Sequence, residues 1–487
     1  MAELRDILYK VSLVSASGDM TRQISQVSFD SREVKKGALF VAVKGTQVDG
    51  HEYIANAIKS GAVAIVCQIL PEQVNEDVTY VAVKNSAEAL AIVSSNFYGN
   101  PSSRLKLVGV TGTNGKTTVA TLLFNLFQKL GYAAGLLSTI DNRIDGEVLP
   151  SMHTTPDALR LNELLANMVD KGCEYCFMEV SSHAIEQHRI AGVTFTGAIF
   201  SNISHDHLDY HKTFDAYISA KKKLFDGLTG DAFALVNKDD KRGLIMLQNT
   251  KAEKKTYSLK SMTDFKAKLV SNTLQGLELE IDNKHVWFKL IGDFNAYNLL
   301  SVYAAAMLLG EDSDTVLTAL SSLNGALGRF EQVDNNSDIT AIVDYAHTPD
   351  ALKNVLETIA EFRTGNEQVI TVIGCGGNRD AAKRPLMASI ACKLSDKVVF
   401  TTDNPRNEDP EQIINDMKQG VSPSDYKKTV VLMDREEAIK TACLLAKEKD
   451  IILVAGKGHE KYQEINGVKH PFDDKEVLGR MLNLFAN

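Results

Sequence analysis

The chain has 487 residues, and at ~150 residues per domain that length suggests about three domains, each long enough to bury its own core. Apolar residues make up 44% and charged residues 24%, with 32 Gly and only 10 Pro, a balance that excludes disordered and collagen-like chains. Lys plus Arg number 53 against 62 Asp plus Glu, a net charge of −9, which excludes a general nucleic-acid binder and requires any anionic ligand to be held locally.

No stretch approaches the ~18 uncharged apolar residues that span a bilayer, and the opening Met1-Ala2-Glu3-Leu4-Arg5-Asp6 has no apolar signal core, so a soluble, cytoplasmic protein is expected. Six cysteines are too few for a disulfide framework at this length and suit a reducing compartment. Cys173 and Cys176 form a lone Cys-x-x-Cys. With no second pair nearby and an apolar run following, they read as buried structural thiols rather than zinc ligands.

In chain order, the Gly/Asn/Pro/Ser cluster from Phe97 to Arg104 closes an N-terminal unit, residues 1–100. Leu105 to Val110 then reads as a strand, Gly112-Thr113-Asn114-Gly115-Lys116-Thr117-Thr118 as a glycine loop, and Val119, Leu122, Leu123, Leu126, Phe127 and Leu130 as one helix face. In that order the backbone N–H groups can wrap phosphate oxygens, Lys116 can reach the terminal phosphates and Thr117 can ligate Mg²⁺. A strict P-loop has Gly at position 110, which is Val here. Glu179 ends the apolar run Cys176-Phe177-Met178, so its carboxylate should project from a strand end where a hard cation could use it.

Ser204-His205-Asp206-His207-Leu208-Asp209-Tyr210-His211 gathers three imidazoles and two carboxylates, read as a cation site; beside a P-loop, Mg²⁺ is the economical choice. Lys221-Lys222-Lys223 taken alone is a solvated basic run. Asn237-Lys238-Asp239-Asp240 matches a base-reading motif of GTPases but lacks the accompanying switch sequence. Asn324 to Arg329 separates an Ala/Leu-rich helical stretch from strands alternating with helices, dividing a central unit, 101–327, from a C-terminal one, 328–487. Strands at Ile339 to Val343, Val369 to Ile373, Lys397 to Thr401 and Ile451 to Ala455 predict a mostly parallel sheet. Each runs into polar residues, and turn chemistry does not explain the two Arg, one Lys and two His among them.

These motifs in this order resemble the Mur ligase family of bacterial peptidoglycan synthesis along the whole chain. The resemblance rests on Asp30-Ser31-Arg32, the glycine loop, Glu179-Val180-Ser181-Ser182-His183, Asn202 through His207, Gly292 through Asn298, Gly328-Arg329-Phe330-Glu331 and Asp344-Tyr345-Ala346-His347-Thr348-Pro349. It implies three α/β domains: a small UDP-binding domain, a P-loop domain with a mostly parallel sheet, and a Rossmann-like C-terminal domain. It also implies ATP and Mg²⁺, a monomer, and addition of the third residue of the stem peptide to UDP-N-acetylmuramoyl-L-Ala-D-Glu through an acyl phosphate.

By resemblance, Phe29, Ser31, Thr46, Gln47 and Val48 would meet the UDP end, and Thr154, Thr155, Ser181, Gln187 and Arg189 the muramoyl-dipeptide end. Asn295, Asn298, Arg329 and Asp344 would surround the nucleotide with Gly112 to Thr118. Glu179, His207 and Thr117 would serve the metal, and Lys221, in Tyr217-Ile218-Ser219-Ala220-Lys221, would carry a carbamate that adds an anionic ligand on the metal side. His153 stands where many relatives have Asn and is left out of the contact set. Arg379, Asp403, Asn404, Pro405, Arg406, Gly456 and Glu460 would hold the amino acid. The far-end carboxylate of meso-2,6-diaminopimelate asks for a guanidinium, and Arg406 in Asp-Asn-Pro-Arg supplies one. The competing readings are an L-lysine-adding member, a folylpolyglutamate synthetase and, from a different class, a zinc metallohydrolase using His205, His207, Asp209 and His211.

Overall fold

The computed structural model describes residues 2–45, 48–204, 206, 208–363 and 365–485, with backbone alone at 208 and 209. Three α/β domains follow one another, each built on its own sheet. The N-terminal sheet has the order Leu13–Ser17, Thr79–Val83, Ala62–Cys67, Ala38–Val41, Gln26–Ser28; the exposed edge strand Leu13–Ser17 is antiparallel and the others are parallel. Helix Ser86–Phe97 covers it, started by Asn85, whose side chain accepts from the Ala87 and Glu88 N–H groups.

The central sheet has eleven strands, parallel from Ala134–Leu137 through Tyr175–Glu179, Lys106–Thr111, Gly197–Phe200, Phe233–Asn237 and Glu253–Ser258 to Phe265–Thr273, with antiparallel strands at both edges. Both faces are covered, which is why these strands read as apolar runs rather than alternating ones. Val108 and Val110 face one core with helices Lys116–Lys129 and Asp293–Leu308, while Leu107, one residue away, faces the other. Phe127 packs its ring 4.4 Å from Tyr175 and 5.0 Å from Phe177, centroid to centroid. Truncating such a ring costs about 3–5 kcal/mol, so this packing holds the loop before the helix in place.

The C-terminal sheet has the order Glu331–Gln332, Thr340–Asp344, Ile451–Ala455, Val369–Ile373, Lys397–Phe400, Thr429–Val431, and all pairs but the first are parallel. The parallel strands anticipated from the sequence are present, shifted by at most one residue at an end. Ile451–Ala455 lies between Thr340–Asp344 and Val369–Ile373, so the loops that follow these strands open on one edge of the sheet. Beneath that edge Arg435, fully buried, donates to both Asp474 oxygens at 2.7 Å and to the Thr402 and Ala455 carbonyls at 3.1 and 3.2 Å. A buried guanidinium thereby ties two loop roots together.

Candidate active site

A cavity of about 460 Å³ lies between the carboxyl edges of the central and C-terminal sheets. On the central side, strand Lys106–Thr111 turns at Gly112 to Gly115 into helix Lys116–Lys129. Gly115 sits at φ +88°, and a Cβ there would stand 2.6 Å from Asn298 Oδ1, so the turn requires glycine. Among the described residues no side chain caps this helix, so its N-terminal N–H groups face a ligand at the cavity.

Two lysines converge on this loop. Lys116 Nζ donates to the Gly112 and Thr113 carbonyls at 3.0 and 2.8 Å, and Lys221 Nζ to the same Gly112 carbonyl at 2.8 Å. Lys221 is 1% exposed, not solvated as the basic run suggested: helix Phe214–Asp226 turns this residue inward, while Lys222, partly covered, pairs with Asp226 and Lys223 pairs with Glu186 on the surface. Burial, then the neighbouring Lys116 charge, pushes the Lys221 amine well below the usual lysine range, and burial also lowers Lys116. Glu179 is fully buried at its strand end; Oε1 accepts from the Thr139 N–H at 2.7 Å and Oε2 from Thr117 Oγ1 at 3.0 Å. A P-loop hydroxyl and a carboxylate sharing one spot, with Asp206 in the same wall, form a hard oxygen donor set that fits Mg²⁺.

Beside Glu179, Thr155 Oγ1 donates to the Glu179 carbonyl at 2.8 Å and accepts from the Ser181 N–H at 3.0 Å. Arg189 donates to the Thr155 carbonyl and, with two nitrogens, to Gln187 Oε1. Thr154, Thr155, Ser181 and Arg189 thus line one mouth, while Gln187 braces Arg189 from behind.

The opposite wall belongs to the C-terminal loops. Arg379, Asp403, Asn404, Arg406, Gly456 and Glu460 all line it. Gly456 sits at φ +118°, and a Cβ there would meet Asp403 Oδ2 at 2.5 Å. Arg406 adopts φ +53°; its Nη1 donates to the Gly377 carbonyl at 2.8 Å. Burial and the Asp403 charge push the Glu460 carboxyl up. Two contacts join the walls: Arg329 Nη2 donates to Thr117 Oγ1 at 3.3 Å and Asn114 Nδ2 to Asp350 Oδ2 at 3.0 Å.

Not every anticipated residue faces the cavity. Asn295 and Asn298 are buried behind the glycine loop, where Asn298 Nδ2 donates to Asn295 Oδ1 and Asn295 Nδ2 to the Ile291 carbonyl. Asp344 is buried and accepts from the Phe330 N–H at 2.6 Å; burial pushes its carboxyl up to about 6. Thr118 and Pro405 are likewise buried off the wall. Phe29, Ser31 and Val48 stand on the N-terminal domain away from this cavity, and Thr46, Gln47 and His207 lie outside the described residues.

His153, left out of the contact set, lines the mouth with Thr154. Tyr345 and His347, which share the motif of Asp344 and carry no separate sequence signal, also line the wall, with rings 4.6 Å apart. Of the zinc alternative, His205 and His207 lie outside the described residues, and His211 is buried with Nε2 2.9 Å from Ser182 Oγ. Among the described residues no three His, Cys, Asp or Glu side chains are grouped to hold a metal ion. Cys173 and Cys176 are buried free thiols.

A phosphate loop in one domain faced by a charged loop cluster in the next defines a P-loop enzyme that joins small polar substrates in an interdomain cleft. Residues 23–98 match the Mur ligase family catalytic domain, 110–306 the Mur ligase middle domain and 328–458 the Mur ligase glutamate ligase domain. A 2,6-diaminopimelate ligase for UDP-N-acetylmuramoyl-L-alanyl-D-glutamate from Cytophaga hutchinsonii is 61% identical over 482 residues, 99% of each chain. The enzyme of the same name from Phocaeicola vulgatus is 55% identical over 485 residues, 100% of each. A solved structure of a ligase with that name is 33% identical, covers 100% of this chain and 99% of its own, and has a TM-score of 0.69. The chain belongs to the Mur ligase family.

Proposed function

We propose that the protein ligates meso-2,6-diaminopimelate to the D-Glu γ-carboxylate of UDP-N-acetylmuramoyl-L-Ala-D-Glu at the expense of ATP. The observation that carries this reading is the single cleft in which the glycine loop and Glu179 face Arg379, Asp403, Asn404, Arg406 and Glu460. Residues 1–100 would hold the UDP end through Phe29, Ser31, Thr46, Gln47 and Val48, residues 101–327 the ATP and the acceptor peptide, and residues 328–487 the amino acid.

The acceptor carboxylate attacks the γ-phosphorus, ADP leaves, and the acyl phosphate forms. The amine of the amino acid then attacks the acyl carbon, and the tetrahedral intermediate expels phosphate as the amine loses a proton. Both steps crowd anionic oxygens, and Lys116 with the loop N–H groups stands where they would be neutralised. Thr117 and Glu179, with His207, would hold Mg²⁺, which supplies positive charge to the transferring phosphoryl oxygens. Thr154, Thr155, Ser181 and Arg189 would orient the acceptor peptide. Lys221 would carry a carbamate: the uncharged amine is the form that adds CO₂, and burial favours that form here. Asn295, Asn298, Arg329 and Asp344 would frame the nucleotide from behind the loop and across the cleft.

Two guanidiniums among the C-terminal loops suit a substrate with two carboxylates better than L-lysine. Phosphate release with the UDP-dipeptide, ATP and each amino acid tests the reading. Turnover with diaminopimelate well above that with L-lysine is expected; equal or faster turnover with L-lysine would sink it.

A further inference from the structure

Lys457 is 0% exposed, in the loop that leaves strand Ile451–Ala455 and ends at Glu460. Its Nζ donates to Asn404 Oδ1 at 3.1 Å and to Glu460 Oε2 at 3.3 Å, and lies 5.4 Å from the Tyr462 ring centroid. Asn404 Nδ2 donates to the same Glu460 Oε2 at 2.7 Å, and the Glu464 N–H donates to Asn404 Oδ1 at 2.8 Å. Two donors on Oδ1 decide which way the Asn404 amide points, since reversing it would set its NH₂ against an ammonium and an N–H. With Oε2 of Glu460 taken by Lys457 and Asn404, Oε1 is the oxygen left for an incoming ammonium. The second Asn404 Nδ2 proton is left for a carboxylate.

We propose that Lys457 is a positioning residue of the amino-acid subsite, holding Glu460 as an anion and aiming Asn404 so that the pair receives the zwitterionic end of the substrate. This rests on the reading of that subsite as the diaminopimelate site. Asp403, Lys457, Arg435, Tyr345 and Tyr462 act electrostatically with Glu460, and Arg379 and Arg406 line the same wall. Arg435 is spent on Asp474 and Arg406 Nη1 on the Gly377 carbonyl, while Lys457 bonds to Glu460 directly. Without Lys457, a buried carboxylate beside Asp403 would take up a proton and lose its hold on an ammonium.

The test is steady-state phosphate release by Lys457→Met, Lys457→Gln and Lys457→Arg, with each substrate varied across a pH series. Losing one charge-assisted contact should raise the KM for diaminopimelate in Lys457→Met about ten- to a hundredfold, with KM for ATP and the UDP-dipeptide unchanged. The acid limb of kcat/KM for diaminopimelate should move to higher pH in Lys457→Met and in Lys457→Gln, and stay in place in Lys457→Arg. Lys457→Gln carries the comparison if the Met variant fails to fold by thermal melting. Equal KM changes for all three substrates, or an acid limb unmoved in both uncharged variants, would overturn the role. A wild-type protein that turns over diaminopimelate while Lys457→Met keeps its KM overturns Lys457 alone; a wild type that ignores diaminopimelate overturns the substrate reading and this proposal with it.

Discussion

At the phosphate end of the cleft one unbroken stretch, Gly112 to Thr118, presents the N–H groups of its helix start and one lysine, whereas at the amino-acid end Arg379, Asp403 to Arg406 and Gly456 to Glu460 arrive on three separate loops. Phosphate oxygens are alike on every nucleotide, so backbone donors and one lysine serve there and other side chains are few. A zwitterion has to be told from its relatives by the placement of individual charges, and only side chains held at set distances do that. The second end is therefore braced across separate loops: Arg435 lies under two loop roots, Lys457 between Asn404 and Glu460, and hairpin Tyr462–Ile465 with Val468–Pro471 against Arg406.

Breaking the phosphate end should have the larger effect. Among the described residues Lys116 bonds to carbonyls of its own loop, so Lys116→Ala removes charge with little loss of packing. Phosphate release should fall about a hundred- to a thousandfold or more, with the melting temperature within a few degrees of wild type. Near-normal turnover would show that the loop N–H groups hold the phosphates without the lysine charge.

Breaking the amino-acid end should appear in KM. Arg406 holds φ +53°, a conformation that costs a non-glycine residue about 1 kcal/mol and suits Asn better, so this position is occupied for its side chain rather than its backbone. Arg406→Asn should keep or raise thermal stability while KM for diaminopimelate rises about ten- to a hundredfold. A fall in kcat at constant KM would instead put Arg406 at the reacting atoms.

The same contrast decides how much was legible beforehand. The strand, glycine loop and helix are contiguous and carry their chemistry in spacing, so Gly112 to Thr118 and Glu179 could be read directly from the chain. Lys221 could not: a lysine triplet reads as a solvated run, and only the helix phase turns one of the three inward against Gly112. Arg406 and Glu460 could be read as polar residues gathered beyond the ends of parallel strands, but their ligand, and the place of Arg189, needed the resemblance. Gln187 and Asp344 were named as ligand contacts and serve as braces behind the wall, a distinction set by packing one residue deep.

A smaller effect should follow from pH, and it separates buried groups at the domain junction. Burial lowers His347 to about 4 and His459 to about 3, from an ordinary value of 6.5. Below pH 6.5 the unfolded chain therefore binds two protons that the folded chain refuses, and stability falls by about 1.4 kcal/mol per pH unit for each. Asp344 works the other way: raised from 3.8 to about 6, it binds a proton in the folded state first and offsets one histidine as pH falls from 6 towards 4. Asp344→Asn removes the offset, so denaturant unfolding at pH 7 and pH 5 should show a steeper acid loss than wild type. An unchanged loss would mean that Asp344 does not titrate in this range.

The smallest effect should be at Lys223, next but one to Lys221 on the same helix. Its ammonium pairs with Glu186 at 2.6 Å, but the two side chains are 54% and 41% exposed. Water screens such a pair and the side chains lose rotamer freedom to form it, so Lys223→Ala should change stability by less than about 0.5 kcal/mol. Because no atom of Lys223 lines the cleft, phosphate release should stay within about twofold of wild type, inside the scatter of neutral surface changes. Lys221 and Lys223 differ in sequence only by position, so a large loss at Lys223 would show that the helix does not separate an inward lysine from an outward one.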